Sequence, residues 1–327
     1  MTPFTCAILG ATGMVGKTFI KILEERNLPV SKLHLYASAR SAGKTLKFHG
    51  QDITIEELTP DIFNNKIDIA LFATDGEISR QYAPLAAKSG CVAIDNSSAW
   101  RMDANVPLIV PEVNAADMYS HKGIIANPNC CATPAVIALK PLLDKYGISR
   151  AVISTYQSVS GAGVGGITDL MEKTAAHFPH MISGNLFPHI DSFHPCGYTG
   201  EEKKLMAEIR KILHTPDLPL TATCVRVPVE YGHSLSINVA LSSPYELEDV
   251  RRLLANSPGI VLQDSLAENL YPMPITAAGT DAVYIGRLRR DESCANGLNM
   301  WVVADNIRKG AATNAVQIAA DVMNSVN

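Results

Sequence analysis

Residues 4–16 read FTCAILGATGMVG, and their reading decides the fold class. The first six residues form a short apolar run with a glycine loop directly behind it. That is the pattern of a strand buried in a parallel sheet. Residues 14–24 then place apolar side chains at helical spacing. Between strand and helix lies Gly10-Ala-Thr-Gly13-Met-Val-Gly16. Gly10 permits the tight turn, Gly13 lets the backbone approach a pyrophosphate, and Gly16 lets the helix pack closely. The free amides of the helix start then face the phosphates. GxxGxxG alone also occurs in simple tight turns; the strand before it and the helix behind it give it meaning here. The cofactor-binding set expected on this loop is Gly10, Thr12, Gly13, Met14 and Val15.

Working outward, residues 33–37, 67–73, 91–95 and 108–110 read as further strands, with a helix at 79–89. Such alternation predicts βαβ units and a parallel, doubly wound sheet. The end of the second strand selects the cofactor. An NAD site places a carboxylate there, but Ala37-Ser-Ala-Arg-Ser-Ala-Gly-Lys44 contains none. Arg40, with the hydroxyls of Ser38 and Ser41, suits a 2′-phosphate, so NADP is expected.

The second half reads differently. Strands are expected at 151–159, 221–229, 234–241 and 298–304, and helices at 165–176, 200–213 and 246–254. Long β-branched strands point to a mixed or antiparallel sheet in an α+β unit. An alanine-rich helix is expected at 309–326.

The totals exclude several classes. At 327 residues the chain is long enough for about two domains. A net charge of -4 gives no electrostatic case for nucleic acid. No segment approaches the ~20 apolar residues of a membrane span. No basic stretch precedes the first apolar run, so no signal peptide is expected. Seven cysteines are scattered without a CxxC, so neither a disulfide framework nor a metal site is expected. The expected location is a reducing cytoplasm, where thiols stay free.

Two of those thiols are adjacent, in IIANPNCCATPAVIAL at residues 124–139. Asn127-Pro128 marks a turn, and Pro134 suits a first helical turn. Cys130 and Cys131 are therefore expected near a helix N-terminus, where exposed amides stabilise a thiolate. Neighbouring side chains on a helix diverge by roughly 100°, so at most one of the two faces a substrate. Core packing is the commoner fate of a cysteine, and local sequence leaves the choice open. The best candidate for a partner base is His233, in RVPVEYGHS at residues 226–234. Arg226 lies on the preceding strand and has the fork geometry to clamp a carboxylate.

These residues are joined by AILGATGMVG, ASARSAGK, AIDNSSAWRM, VPEVN, ANPNC, SVSGAG, GYTGEEKK and DNIRKGAATNAVQIA, spanning Ala7 to Ala319. Together they resemble the bacterial aspartate-semialdehyde dehydrogenase family. The resemblance implies that Cys130, directly after Asn-Pro-Asn, is the nucleophile, with Cys131 a bystander where the family usually has serine. It implies His233 as acid/base and Gln157 as the residue orienting the acyl intermediate. Arg226 would bind the substrate carboxylate and Glu201 its amine. Arg101, Asn129 and Lys204 would bind phosphate. Gly161 and Asn306 would lie on the cofactor, Asn306 beside the nicotinamide. Asp75 in FATDGEIS departs from the small residues the family prefers and sits near the expected pyrophosphate.

The resemblance also implies the architecture. A Rossmann-like NADP-binding domain would span 1–127 plus the C-terminal helix 308–327. A catalytic and dimerisation domain, α+β with a mixed sheet, would span 128–307. The implied reaction is the NADPH-dependent reductive dephosphorylation of L-4-aspartyl phosphate, by a homodimer or homotetramer with no nucleic-acid or membrane partner. N-acetyl-glutamyl-phosphate reductase uses the same chemistry, but an acetylated amine carries no charge for Glu201. A non-catalytic NADP sensor would need no thiol and base in one cleft.

Overall fold

The computed structural model describes residues 3–325. Residues 1, 2, 326 and 327, the ends of the expected nucleotide-binding domain and of the 309–326 helix, lie outside the described residues. The chain divides into two compact units, residues 1–128 with 311–327, and residues 129–310.

The first unit is built on β1 (Phe4–Leu9), α1 (Met14–Glu25), β2 (Val30–Ala37), β3 (Thr45–Phe48), β4 (Gln51–Glu57), β5 (Ile69–Phe72), α2 (Gly76–Lys88), β6 (Val92–Asp95), α3 (Pro111–Asn114) and β7 (Ile124–Ala126). Its sheet runs β3-β4-β2-β1-β5-β6-β7, all parallel except the β3–β4 pair. The chain order reverses between β1 and β5, so the crevice for a ligand opens at the carboxyl ends of those strands. Phe19 and Leu23 of α1 share one buried cluster with Ile8, Leu35, Leu71 and with Ala315, Ile318 and Val322 of the C-terminal helix (Thr313–Ser325). Helix α2 packs separately against β6 and β7.

In the second unit the helix expected at 165–176 ends at Glu172, the strand expected at 221–229 ends at Arg226, and strands at Ile260–Leu262 and Val283–Asp291 were not expected; the first unit differs at two places. Residues 108–110 form a single bridge, Leu108 to Ala126, rather than a strand. Pro107 and Pro111 bracket the segment and cannot donate to a ladder; β7 takes the edge instead. The β3–β4 hairpin was not expected. His49 (φ 48°) and Gly50 (φ 77°) both have positive φ, as a type I′ turn requires. Histidine is not among the residues that signal such a turn.

The second unit holds α4 (Ala132–Tyr146), β8 (Ile148–Gln157), α5 (Val164–Glu172), α6 (Gly200–Ile212), β9 (Leu220–Arg226), β10 (His233–Leu241), α7 (Leu247–Ala255), β11 (Ile260–Leu262), α8 (Pro274–Ala277), β12 (Val283–Asp291) and β13 (Gly297–Ala304). The sheet order is β11-β12-β13-β10-β8-β9. It is mixed: β8–β9 and β11–β12 are parallel and the other pairs antiparallel. Helices α4, α6 and α7 pack along this sheet. Ser236, Asn238, Asn299 and Trp301 occupy half-buried positions that alternate with the core residues of β10 and β13. Register places the site: Gln157 stands opposite Arg226 at the ends of β8 and β9, and His233 opposite Ala304. Among the described residues no helix is long and apolar enough to cross a membrane.

Candidate active site

The second unit holds Cys130 with two hydrogen-bonded clusters, one of Asn129, Gln157 and Glu201 and one of Arg226, Ser158, His233 and Asn306. Helix α4 begins two residues after Cys130, with Cys131 at its N-cap position. Neither cysteine is inside the helix, so the expectation that helical phase separates their side chains is corrected. The sulfurs of Cys130 and Cys131 and a ring nitrogen of His233 all lie within 4.8 Å of one another. Burial distinguishes the pair instead. Cys130 is partly exposed and Cys131 fully buried. Burial, then the neighbouring Cys130, pushes the Cys131 thiol well above its ordinary range. Two thiols and an imidazole also form a donor set that suits a soft divalent ion, a juxtaposition that chain spacing does not reveal.

His233 is fully buried. Its Nδ1 lies 3.1 Å from the Ser158 amide and 3.0 Å from Ser158 Oγ. A backbone N–H only donates, so Nδ1 accepts and the neutral ring carries its proton on Nε2. That Nε2 is buried without a hydrogen-bond partner. Ser158 Oγ also lies 3.0 Å from Asn306 Oδ1, so its single proton is shared between that oxygen and Nδ1, and Asn306 Oδ1 accepts the Gly232 amide at 2.9 Å. Asn306 Nδ2 in turn lies 3.1 Å from Ser160 Oγ. The imidazole is thus oriented through Ser158 by Asn306.

Arg226 is buried and donates Nη1 to the Ser158 carbonyl at 2.7 Å. Its Nε has no partner. Burial lowers its pKa, and Cys130 and Glu201 counter that. A buried guanidinium with unused donors is prepared for an anion. Gly161 faces both groups: a Cβ there would meet Arg226 Nη1 at 3.1 Å and His233 Cε1 at 3.2 Å.

Asn129 is the hub of the nucleophile turn. Its Oδ1 accepts the amides of Cys131 (2.7 Å) and Ala132 (3.3 Å), and its Nδ2 donates to Glu201 Oε1 at 2.8 Å. Gln157 Nε2 donates to the same Glu201 oxygen at 3.1 Å. Lys204 is ion-paired with Asp191. The expected helix start at Gly200 is real, and Thr199 and Glu202 form a capping box there. Sequence reasoning did not pick out Ser158, Ser160 or Glu208, which hold these groups in place. Their only signal is a polar residue type at a buried position, which one sequence does not display.

The remaining expected residues lie in the first unit. Gly10 has φ +81°, and a Cβ there would sit 2.4 Å from the Ala73 carbonyl oxygen. At Gly16 a Cβ would meet the Gly10 oxygen at 2.3 Å. Gly13 caps α1 without any side-chain hydrogen bond, leaving Thr12, Met14 and Val15 around uncapped amides. This cradle fits a pyrophosphate. Ser38 and Arg40 are exposed beyond β2, and Ser41 is buried. Asp75 is explained by α2: its Oδ1 accepts the amides of Glu77 and Ile78 at 2.9 and 3.0 Å, a helix cap rather than a ligand contact. Arg101 is buried, donating to the carbonyls of Asn127 (2.9 Å) and Asn96 (2.6 Å).

The chain matches two family models, "Semialdehyde dehydrogenase, NAD binding domain" over residues 5–121 and "Semialdehyde dehydrogenase, dimerisation domain" over residues 139–309. An aspartate-semialdehyde dehydrogenase of Aquifex aeolicus is 54% identical, covering 97% of each chain. One from Bacillus subtilis is 45% identical over 96% of this chain and 95% of its own. Among solved structures, aspartate semialdehyde dehydrogenase II from Vibrio cholerae complexed with ASA superposes with a TM-score of 0.96 at 43% identity, over 99% of both chains. The aspartate semialdehyde dehydrogenase from Candida albicans with NADP has a TM-score of 0.79 at 26% identity, over 98% of this chain and 99% of its own.

Proposed function

This chain belongs to the aspartate-semialdehyde dehydrogenase family, and on that premise we propose that it reduces L-4-aspartyl phosphate to L-aspartate 4-semialdehyde with NADPH, through a thioester on Cys130. The observation that carries the reading is a partly exposed thiol within 4.8 Å of a ring nitrogen of a buried imidazole whose Nε2 has no partner.

The residues divide the work. With its proton on Nε2, His233 meets Cys130 as a donor to a thiolate, and the start of α4 favours the same anion. The sulfur attacks the acyl carbon; the carbon–oxygen bond to phosphate breaks and phosphate leaves with the electron pair. Within the second unit Asn129 and Lys204 are the phosphate-binding candidates, with Lys204 exchanging Asp191 for the ligand. Arg226 takes the substrate carboxylate and Glu201 the amine, which orients the acyl carbon over the sulfur. Gln157, anchored on Glu201, holds the acyl oxygen. When bound, the reduced cofactor supplies a hydride to the thioester carbonyl. His233 donates its Nε2 hydrogen bond to the oxygen that gains charge, and then to the thiolate released as the hemithioacetal collapses. A charged amine clamp disfavours an N-acetylated glutamyl substrate.

A nicotinamide dinucleotide is the cofactor. NADP is preferred on the strength of Arg40 and Ser38. The match to a dimerisation domain supports an oligomer; we take it to be a homodimer acting in the cytoplasm.

The test is spectrophotometric. Aspartate semialdehyde, NADP and inorganic phosphate should yield NADPH, with strict dependence on phosphate and loss in Cys130→Ala. Absence of phosphate-dependent turnover in protein that binds NADP would reject the reading in favour of another acyl phosphate.

A further inference from the structure

We propose that Glu208 is a positioning residue for the nucleophile. Its Oε2 accepts the backbone amide of Asn129, the residue immediately before Cys130, at 2.6 Å. The two residues are 79 positions apart, so this is a tertiary contact. Glu208 is buried, 1% exposed. A buried carboxyl oxygen facing a backbone amide at this distance makes a short, strong bond.

The partner arrangement gives this bond its meaning. Glu201 and Glu208 stand seven residues apart on α6, two helical turns, and therefore share a face. Glu201 holds the Asn129 side chain and Glu208 holds its backbone. The Asn129 carbonyl accepts the Thr133 amide at 3.1 Å, and its Oδ1 caps Cys131. Every polar group of Asn129 is thereby engaged. From α6, Glu208 holds the Pro128–Asn129 peptide and Glu201 the Asn129 side chain, so the residue before Cys130 is clamped at two points, one turn before α4 begins.

Cys130 itself has neither helix nor strand around it to fix its backbone. Its sulfur must reach the acyl carbon while remaining beside His233. Releasing the Asn129 amide lets the Pro128–Asn129 peptide, and with it the backbone of Asn129 that carries Cys130, turn, whereas the Asn129 side chain stays held by Glu201. Glu208 touches neither sulfur nor substrate in this account; it acts through the turn.

The inference rests on Cys130 being the nucleophile, and the experiment separates the two. Glu208→Ala, Glu208→Asp and Glu208→Gln are prepared beside Cys130→Ala. Three quantities are read: kcat and KM, the rate of Cys130 alkylation by iodoacetamide against pH, and Tm. Glu208→Ala and Glu208→Asp should lose kcat by roughly 10- to 100-fold, the scale of a misplaced reacting group. Alkylation of Cys130 should slow or shift in pH, with KM changing less than kcat. Glu208→Gln still offers an oxygen acceptor and should recover most of the loss. If Glu208→Ala does not fold, the Asp and Gln variants decide. Lower Tm with wild-type kcat and alkylation profile would overturn the proposal, leaving Glu208 merely structural. Full turnover by Cys130→Ala would instead overturn the nucleophile.

Discussion

Gly161→Ala isolates the geometry of the site from its chemistry. The substitution adds one methyl group and no charge. The φ of Gly161 is not in the left-handed region, so the backbone accepts alanine. The new Cβ would stand 3.1 Å from Arg226 Nη1, 3.2 Å from His233 Cε1 and 3.3 Å from His233 Nε2. Non-bonded contacts prefer about 3.5–4.0 Å. The imidazole and guanidinium must therefore retreat by roughly 0.3–0.5 Å. Both are buried and tied to Ser158, so the displacement cannot relax into solvent. A 1 Å misplacement costs about 100-fold, so half of that costs about 10-fold, or ~1.4 kcal/mol in the barrier. Because Arg226 moves as well, KM for the semialdehyde should rise while kcat falls. Stopped assays of NADPH formation give both constants, and calorimetry checks that Tm falls by only a few degrees. Wild-type kcat/KM in folded Gly161→Ala protein would refute the argument, because it would mean that neither group's position matters.

Cys131→Ser should retain activity within about 3-fold, since its burial and raised pKa disqualify its sulfur from attack; a loss like that of Cys130→Ala, measured as kcat, would reassign the nucleophile. Asp75→Ala should lower stability by about 1 kcal/mol in urea unfolding, through loss of the α2 cap, with the KM for NADP unchanged; a raised KM would restore a ligand role. Asp169 accepts the hydroxyl of Thr174 and the amides of Ala176, His177 and Phe178, which together hold its pKa below the usual carboxylate range. The ionised form is thus favoured by folding, so the stabilisation is complete above about pH 4 and fades as pH falls further. Thermal melts of wild type and Asp169→Asn should differ at pH 7 and converge toward pH 2, and a gap independent of pH would contradict this.

Much of this was legible in the chain because the relevant physics is local. The strand–glycine–helix passage around Gly10 specifies a parallel nucleotide-binding sheet, since only glycine tolerates φ +81° against the Ala73 carbonyl. Cys130 and His233 stood out as reactive residue types at loop or helix ends. The choice between Cys130 and Cys131 was different. It depends on burial, and a phase argument failed because neither residue is helical. The β3–β4 hairpin escaped because its turn uses histidine at positive φ. Ser158, Asn306 and Glu208 act across 75, 148 and 79 positions, distances at which residue type alone carries no pairing information. Asp75 had no explanation in the sequence. An acid beside a phosphate loop looks electrostatically awkward until its two amide partners in α2 are seen.

The C-terminal helix has a consequence for the order of events on the ribosome. Ala315, Ile318 and Val322 belong to the same buried cluster as Ile8 and Phe19. The nucleotide-binding unit is synthesised first, yet it lacks one wall of its core until the last helix emerges. Residues 129–310 are contiguous and can complete their own packing in the meantime. At roughly 5–20 residues per second, the early unit waits about 10–40 s with apolar surface uncovered. A stop codon at position 313, 314 or 315 would remove Ala315, Ile318 and Val322, leaving every catalytic side chain present and the cofactor unit unable to close its core.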